Sequence, residues 1–321
     1  MARIVYLLLS HGGIRGGHKM ILRHVEALRE LGFDAVAQTS PDYAVPTWLD
    51  HRAPIRISAD TEPGDIIVIP DDATPIVADA ARVGTRCVLF AQGFSTYTSG
   101  ALAAIDAFPQ DQRPPHMAVG PMLARIVGRL FPSASVDVVP CFADERIFRP
   151  VGEPRYGLSL TPAKRPLEAD LIRGFFRRFY PDRADLRWTV VDGAREPDVA
   201  RAFAERALHL ALPKAESVGI TTLEAMAAGA VCAGFLGVGG REYATEDNGF
   251  WAPDDDCEAA ADALLRADDV VRSAGPALAR LREASRATAR QWSRAAFLAP
   301  LEAFWMRHAP EARLRSGPLD A

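Results

Sequence analysis

The residues best placed by type and spacing to do chemistry lie in Pro213-Lys214-Ala215-Glu216-Ser217-Val218-Gly219-Ile220-Thr221-Thr222-Leu223-Glu224-Ala225-Met226-Ala227-Ala228-Gly229. Two glutamates stand eight positions apart with a glycine between them. On one continuous helix they would differ by about 80° in azimuth and ~12 Å in height, so they could not share a ligand. A loop-to-helix transition removes that obstacle. If the helix starts within 219–221, Glu216 stays on the incoming loop, while Glu224 lies one turn in with its side chain tilted back toward the N-terminus. Both carboxylates and the first-turn amides then face one spot. Helix-start amides and the positive end of the helix dipole suit a phosphate, and carboxylates suit sugar hydroxyls, so a nucleotide sugar matches the set. The competing structural reading makes Thr221-x-x-Glu224 a capping box and Glu216 an ordinary loop glutamate.

A departing nucleoside diphosphate gathers negative charge, which fixed cations and amides can meet. Lys164 and Arg165, in Thr161-Pro162-Ala163-Lys164-Arg165-Pro166, follow the first strand of the second half and by themselves read as a solvated pair of loop charges. After the first apolar run comes His11-Gly12-Gly13-Ile14-Arg15-Gly16-Gly17-His18, whose glycines let main chain approach a ligand without an intervening Cβ. It is not the G-x-G-x-x-G fingerprint. His18, at the start of the next helix, is a candidate for an acceptor site, whereas His24 falls on a buried or flanking face. Gln92, in Phe90-Ala91-Gln92-Gly93-Phe94, is an amide that can donate and accept hydrogen bonds but cannot serve as a general base. Gly237-Val238-Gly239-Gly240-Arg241-Glu242 reads first as a structural turn. Asp254-Asp255-Asp256 reads as a helix-start cluster and no Asp-x-Asp motif follows a strand, so neither metal nor cofactor is expected.

The elements that must position these residues follow from periodicity. Arg3 to Leu9 is an apolar run without alternation, as in a parallel strand buried on both faces. Met20, Ile21, His24, Val25, Leu28 and Leu31 recur at helical spacing up to Gly32, a left-handed cap, and a strand resumes over 34–39. Further strands are expected over 65–69, 86–91 and 136–139, with helices over 75–83 and 122–130. Three prolines and a glycine mark 140–154 as a linker. The alternation restarts with strands over 156–160, 188–191, 208–212 and 230–235, and helices over 167–179, 199–206 and 223–228. From Cys257 onward the pattern is helical, ending in an apolar face of Phe297, Leu301, Phe304 and Trp305. The fold class is therefore α/β, with two Rossmann-like doubly wound domains over 1–150 and 151–290 facing a cleft at their strands' carboxyl ends. A C-terminal helix over 291–321 is expected to return to the first domain.

Composition fits this reading. Of 321 residues, 49% are hydrophobic and 24% charged, which excludes disordered and low-complexity classes. Lys and Arg number 37 against 41 Asp and Glu, too even for a protein built to grip duplex nucleic acid. The six-residue run Ile4 to Leu9 is too short for a membrane span and lacks a signal-peptide cleavage site, and the four cysteines show no zinc or disulfide spacing. A cytoplasmic setting is the expectation. Phe175, Phe176, Phe179 and Tyr180 interleave with Arg173, Arg177 and Arg178; core packing is the first reading and peripheral membrane contact the second.

Taken together, these motifs resemble the retaining glycosyltransferases of family four, which have the GT-B fold. The E-x7-E signature of that family matches Glu216 and Glu224, continued by Glu-Ala-Met-Ala-x-Gly to Gly229. The resemblance implies that Glu216 contacts the donor sugar near the reacting centre. It likewise implies that Glu224 holds the nucleotide ribose, and that Ser217, Gly219, Ile220 and Thr221 bind sugar and diphosphate. It assigns the diphosphate also to Gly16, Gly17 and Lys164, with Arg165 beside it, and the sugar or acceptor side to His18 and Gln92. The chain departs from the family pattern in having Ser159 where an arginine is usual and Gln92 where many relatives have histidine. The implied reaction is metal-independent transfer of a sugar from a nucleoside-diphosphate sugar to a hydroxyl of a glycan, lipid-linked or small-molecule acceptor. A non-catalytic nucleotide-sugar binder and another GT-B activity, such as an epimerase, are the alternatives.

Overall fold

The computed structural model describes residues 2–314. It divides into two compact units: residues up to Pro140 together with the stretch from Phe297, and Cys141–Ala296. In the first unit, Ile4, Val5 and Tyr6 are fully buried on β1 (Arg3–Leu7), as a strand covered on both faces requires. Helix α1 (Gly16–Glu30) ends in a Schellman turn, with the Gly32 N–H donating to the Arg29 carbonyl and the Phe33 N–H to that of Leu28. Gly32 sits there at φ 82°, which glycine adopts without a Cβ penalty. The chain continues through β2 (Ala35–Thr39), β3 (Ile55–Ile57), β4 (Asp65–Pro70), α2 (Thr74–Val83), β5 (Cys87–Ala91), the short α3 (Phe94–Thr96), a π-turn at Tyr97–Ala101, and α4 (Leu102–Asp106). It closes with β6 (His116–Ala118), α5 (Pro121–Leu130) and β7 (Val136–Val138). The strands form a parallel sheet in the order β3-β2-β1-β4-β5-β6-β7. The order reverses between β1 and β4, so the loops after these two strands flank the switch point, where doubly wound sheets bind ligands.

The second unit is built from β8 (Arg155–Leu160), α6 (Pro166–Phe179), β9 (Trp188–Val190), α7 (Glu196–Glu205), β10 (Arg206–Ala211), α8 (Ile220–Ala227), β11 (Val231–Phe235), β12 (Phe250–Ala252), α9 (Cys257–Ser273) and α10 (Pro276–Gln291). Its parallel sheet runs β12-β11-β10-β8-β9, and here the order reverses between β8 and β10. The α/β reading with two parallel sheets therefore holds. The three-residue strands β3, β6 and β12 are absent from the expectation, while β7 and β9, of the same length, are in it.

The stretch over 140–154 is less of a free linker than its prolines suggest. Phe142, Ala143 and Phe148 are buried, and the Ala143 N–H donates to the Trp292 carbonyl at 2.9 Å, so the second unit begins at Cys141 instead of after 150. Glu145 in turn accepts from the amides of Arg294 and Ala295, capping α11 (Arg294–His308). From Phe297 this helix belongs to the first unit. Its Phe297 ring lies 4.8 Å from His24, Trp305 lies 6.2 Å from Tyr6, and Arg307 pairs with Asp137 at 2.6 Å. Helix α6 buries Ala169, Ile172 and Phe176 against its own sheet, but leaves Leu167, Leu171 and Phe179 exposed, so its aromatics are only partly core. Among the described residues no helix is long and apolar enough to cross a membrane.

Both cores enclose neutral histidines. Burial pushes His24 and His209 down to about 3 and His116 to about 4. The folded state therefore binds fewer protons than the unfolded chain between these values and the ordinary histidine pKa near 6.5. Stability is present above that value and lost as pH falls through the window, by about 1.4 kcal/mol per histidine per pH unit. Urea unfolding at a series of pH values should show the midpoint falling steeply from pH 6 to 4. His209→Gln should make that fall shallower, and an unchanged slope would contradict the assignment.

Candidate active site

In the second unit the loops after β8 and β10 lie at its switch point, and they carry Lys164 and Glu216. The two meet in an ion pair, Lys164 Nζ donating to Glu216 Oε1. Lys164 is 60% exposed and Glu216 19%, so solvent screens the pair, which is worth no more than about 1 kcal/mol. An incoming anion could take the lysine from it at small cost.

The loop that presents Glu216 then turns sharply into α8. Gly219 is the N-cap at φ 80°, and no side chain caps the first turn. This settles the capping-box question: Thr221 is already inside the helix, so Thr221 and Glu224 cannot occupy the Ncap and N3 positions. Glu224 lies one turn in and is 5% exposed. Ser217, next to Glu216 in sequence, is buried, while Ile220 and Thr221 at the helix start are partly accessible.

Tyr243, which carries no signal in the sequence, the glycine turn over 237–240 and Asp254 of the acidic cluster set the shape of this loop. The buried Tyr243 hydroxyl donates to the Gly219 carbonyl at 3.0 Å, and burial raises its pKa far above the ordinary phenol value, keeping the proton on oxygen. The Gly239 N–H donates to the Glu216 carbonyl at 3.0 Å, and Asp254 accepts from the Gly237 N–H at 2.8 Å. The glycine turn over 237–240 is thus structural, as first read, but what it structures is the Glu216 loop. Asp256 caps α9 by accepting from the Ala259 N–H, as a helix-start cluster should, whereas Asp254 and Asp255 serve the site loops. Tyr243→Phe should cost about 1–3 kcal/mol, because the Gly219 carbonyl loses its side-chain donor. Thermal unfolding checks this, and the variant should also weaken any anion binding at the start of α8.

Arg165 takes a different post from the one expected. It is 3% exposed, donates to the Pro213 carbonyl at 2.8 Å and to Glu168 at 2.9 Å, pairs with Asp255, and stacks over Phe235 at 4.8 Å. With two carboxylates against it, it holds the 213–217 loop onto α6 and offers no charge to a phosphate. Ser159 also turns inward. Its hydroxyl lies 3.2 Å from the Leu208 carbonyl and 3.1 Å from His209 Nδ1.

In the first unit Gly16 and Gly17 open α1, whose first turn likewise carries no side-chain cap. Gln92 does not stand free for a sugar: its Nε2 donates to the Gly17 carbonyl at 3.0 Å. His18 is buried, its Nδ1 has no hydrogen-bond partner among the described residues, and burial lowers its pKa. The Asp72 charge opposes that shift. Among the described residues no group of three or more His, Cys, Asp or Glu side chains is gathered to hold a metal ion.

No protein-family model matches the chain. An alpha-1,6-glucosyltransferase of Actinobacillus pleuropneumoniae serotype 7 (strain AP76) is 30% identical over 80 residues, 25% of this chain and 24% of that protein. The match thus spans about a quarter of the curated relative's length. Among solved structures, a sucrose-phosphate synthase from Thermosynechococcus elongatus superposes with a TM-score of 0.68 at 15% identity, covering 95% of this chain and 98% of that one. Anabaena Alr3699/HepE in complex with UDP gives 0.69 at 12% identity, covering 95% and 100%. At such identities the likeness is one of fold, and with the two parallel sheets it shows that this chain has the α/β architecture of the GT-B glycosyltransferases.

Proposed function

We propose that the chain is a glycosyltransferase that moves a sugar from a nucleoside-diphosphate sugar to an acceptor hydroxyl, with retention at the anomeric carbon and without a bound metal. The observation that carries this reading is the meeting of Lys164, Glu216 and the uncapped start of α8 at one switch point, with Glu224 buried one turn in. The GT-B fold, the complexes of Alr3699/HepE with UDP and with UDP-glucose, and the partial match to a glucosyltransferase support it.

In this scheme the diphosphate draws Lys164 away from Glu216 and lies against the first-turn amides of α8. As the bond from the anomeric carbon to the phosphate oxygen breaks, these groups meet the growing charge. Glu216, released from the lysine, orients the sugar hydroxyls and steadies positive charge at the ring. The acceptor oxygen attacks from the face the phosphate leaves, and its proton passes to the departing phosphate oxygen, so no separate general base is required of Gln92. Glu224 holds the ribose.

A thermal-shift series with nucleoside diphosphates and nucleotide sugars, with and without EDTA, tests the donor site. Ligand at about 100 times its dissociation constant adds ~2.7 kcal/mol, or roughly 5–10 °C for units of this size. Glu224→Ala should remove most of that rise. The absence of a rise with every nucleotide would sink the reading, and a rise abolished by EDTA would overturn its metal independence. Retention is read from the anomeric configuration of the product by NMR. A second reading, a nucleotide-sugar binder without turnover, is favoured by Ser159 turning into the core in place of a cation. Donor hydrolysis or transfer, however slow, excludes it.

A further inference from the structure

The end of β4 carries a carboxylate with no part in the motifs above. Asp71 is 6% exposed, and among the described residues no lysine or arginine pairs with it. One of its oxygens, Oδ2, accepts from the Gln92 N–H at 3.1 Å, the Gly93 N–H at 2.8 Å and the Thr96 hydroxyl at 3.0 Å. Three donors on one buried oxygen offset part of the cost of burying its charge. All three follow β5, where the chain leaves the sheet for α3. The space is tight, since a Cβ on Gly93 would overlap the Thr96 hydroxyl.

With its main chain held in this way, Gln92 sends its side-chain amide to the Gly17 carbonyl in the first turn of α1. That contact is close as well, because a Cβ on Gly17 would come within 2.9 Å of Gln92 Oε1. A continuous path of hydrogen bonds therefore runs from the end of β4, through the end of β5, to the glycine-rich start of α1. We propose that Asp71 is a positioning residue of the first unit: it sets the exit loop of β5 and, through the Gln92 side chain, the placement of Gly16 and Gly17. Gln92 then acts as the latch between two loops of the switch point, which accounts for an amide at a position where a sugar ligand was expected.

The ionised form holds the latch. Burial outweighs the three donors and raises Asp71 to about 6. The titratable groups facing it are Asp72 on its own turn and Tyr97 in the π-turn after α3, while His18 on α1 faces Asp72. Below about pH 6 the carboxylate protonates, and its grip on the Gln92 and Gly93 amides weakens.

The latch is tested without reference to activity, by amide hydrogen exchange near neutral pH on wild type, Asp71→Asn and Gln92→Leu. Thermal shift with UDP and GDP shows in parallel that the second unit is folded. Asp71→Asn should speed exchange about tenfold at Gln92 and Gly93 and also over Lys19–Ile21, whereas Gln92→Leu should speed only the start of α1. If Asp71→Asn loosens 92–93 but leaves α1 at the wild-type rate, or if Gln92→Leu leaves α1 unchanged, the proposal falls. Should Asp71→Asn prevent folding, Thr96→Val removes one donor and carries the same expectation in weaker form. The consequence for catalysis rests on the proposed function: kcat should fall about tenfold in Asp71→Asn, and the acid limb of the wild-type pH profile near 6 should vanish. A loss of kcat with that limb unchanged would mean a structural role alone. A wild type without transfer would sink the proposed function and leave the exchange result to decide the latch.

Discussion

Glu216→Gln is expected to lower kcat for sugar transfer by about 10²–10³-fold, the usual cost of removing one preorganised group at developing charge. Affinity for the free nucleoside diphosphate should change little. The variant keeps the shape and a hydrogen-bonding oxygen of the side chain but removes the charge that pairs with Lys164. In the proposed scheme that charge acts on the sugar during bond breaking and hardly at all on the nucleotide, so the loss belongs in kcat and not in the nucleotide dissociation constant. Initial-rate kinetics together with nucleotide titration separate the two. A variant with wild-type kcat would remove Glu216 from the reacting centre, and one that no longer bound nucleotide would reassign it to the diphosphate or base. Lys164→Ala should behave in the opposite sense, weakening diphosphate binding first.

Gly239→Ala is expected to destabilise the second unit by about 3 kcal/mol, at the upper end of ordinary overpacking, and to lower its melting temperature by roughly 6–12 °C. A Cβ there would run into the Ser217 carbonyl group and the Val218 nitrogen. These are backbone atoms and cannot swing aside as the tip of a side chain could. The Gly239 N–H also donates to the Glu216 carbonyl, so the clash falls on the loop that presents the glutamate. Nucleotide protection should therefore drop by more than the loss of stability alone accounts for. Gly240→Ala is the control, since a Cβ there meets nothing nearer than 3.7 Å. Calorimetry with and without nucleotide reads both effects. Equal stabilities for the two variants would show that the glycine turn is not what holds the Glu216 loop.

Legibility in the sequence was greatest where periodicity is strong. The buried strands β1, β4, β5, β10 and β11 and the long helices declare themselves as apolar runs and helical spacings, and Gly32 marks the end of α1 by a conformation that few other residues accept. The three-residue strands β3, β6 and β12 were not legible, whereas β7 and β9, equally short, were, so length alone does not divide them; the first three are strands by virtue of the neighbours that pair with them. The site divides along the same line. Glu216 and Glu224 stand out because an eight-residue separation around a glycine needs a loop-to-helix junction. Lys164 and Arg165, adjacent in sequence and alike in charge, gave no hint that one would reach Glu216 from solvent while the other turned inward to two carboxylates and an aromatic face. Tyr243 and Asp71 carry no motif at all, and Asp254 was read only as part of a helix-start cluster.

By itself the sequence determined what depends on neighbours along the chain: which segments are strands and helices, that they alternate into parallel sheets, and that a carboxylate-bearing loop enters a helix at Gly219. Only the tertiary structure decided which side chains face one another across loops far apart in sequence. Strand order sets that. Lys164 and Glu216 meet because β8 and β10 are neighbours in the sheet with β9 placed outside them, and Asp71 reaches Gln92 because β4 pairs with β5. A buried polar group takes the partner that the fold brings within about 3 Å, and no local pattern encodes that partner.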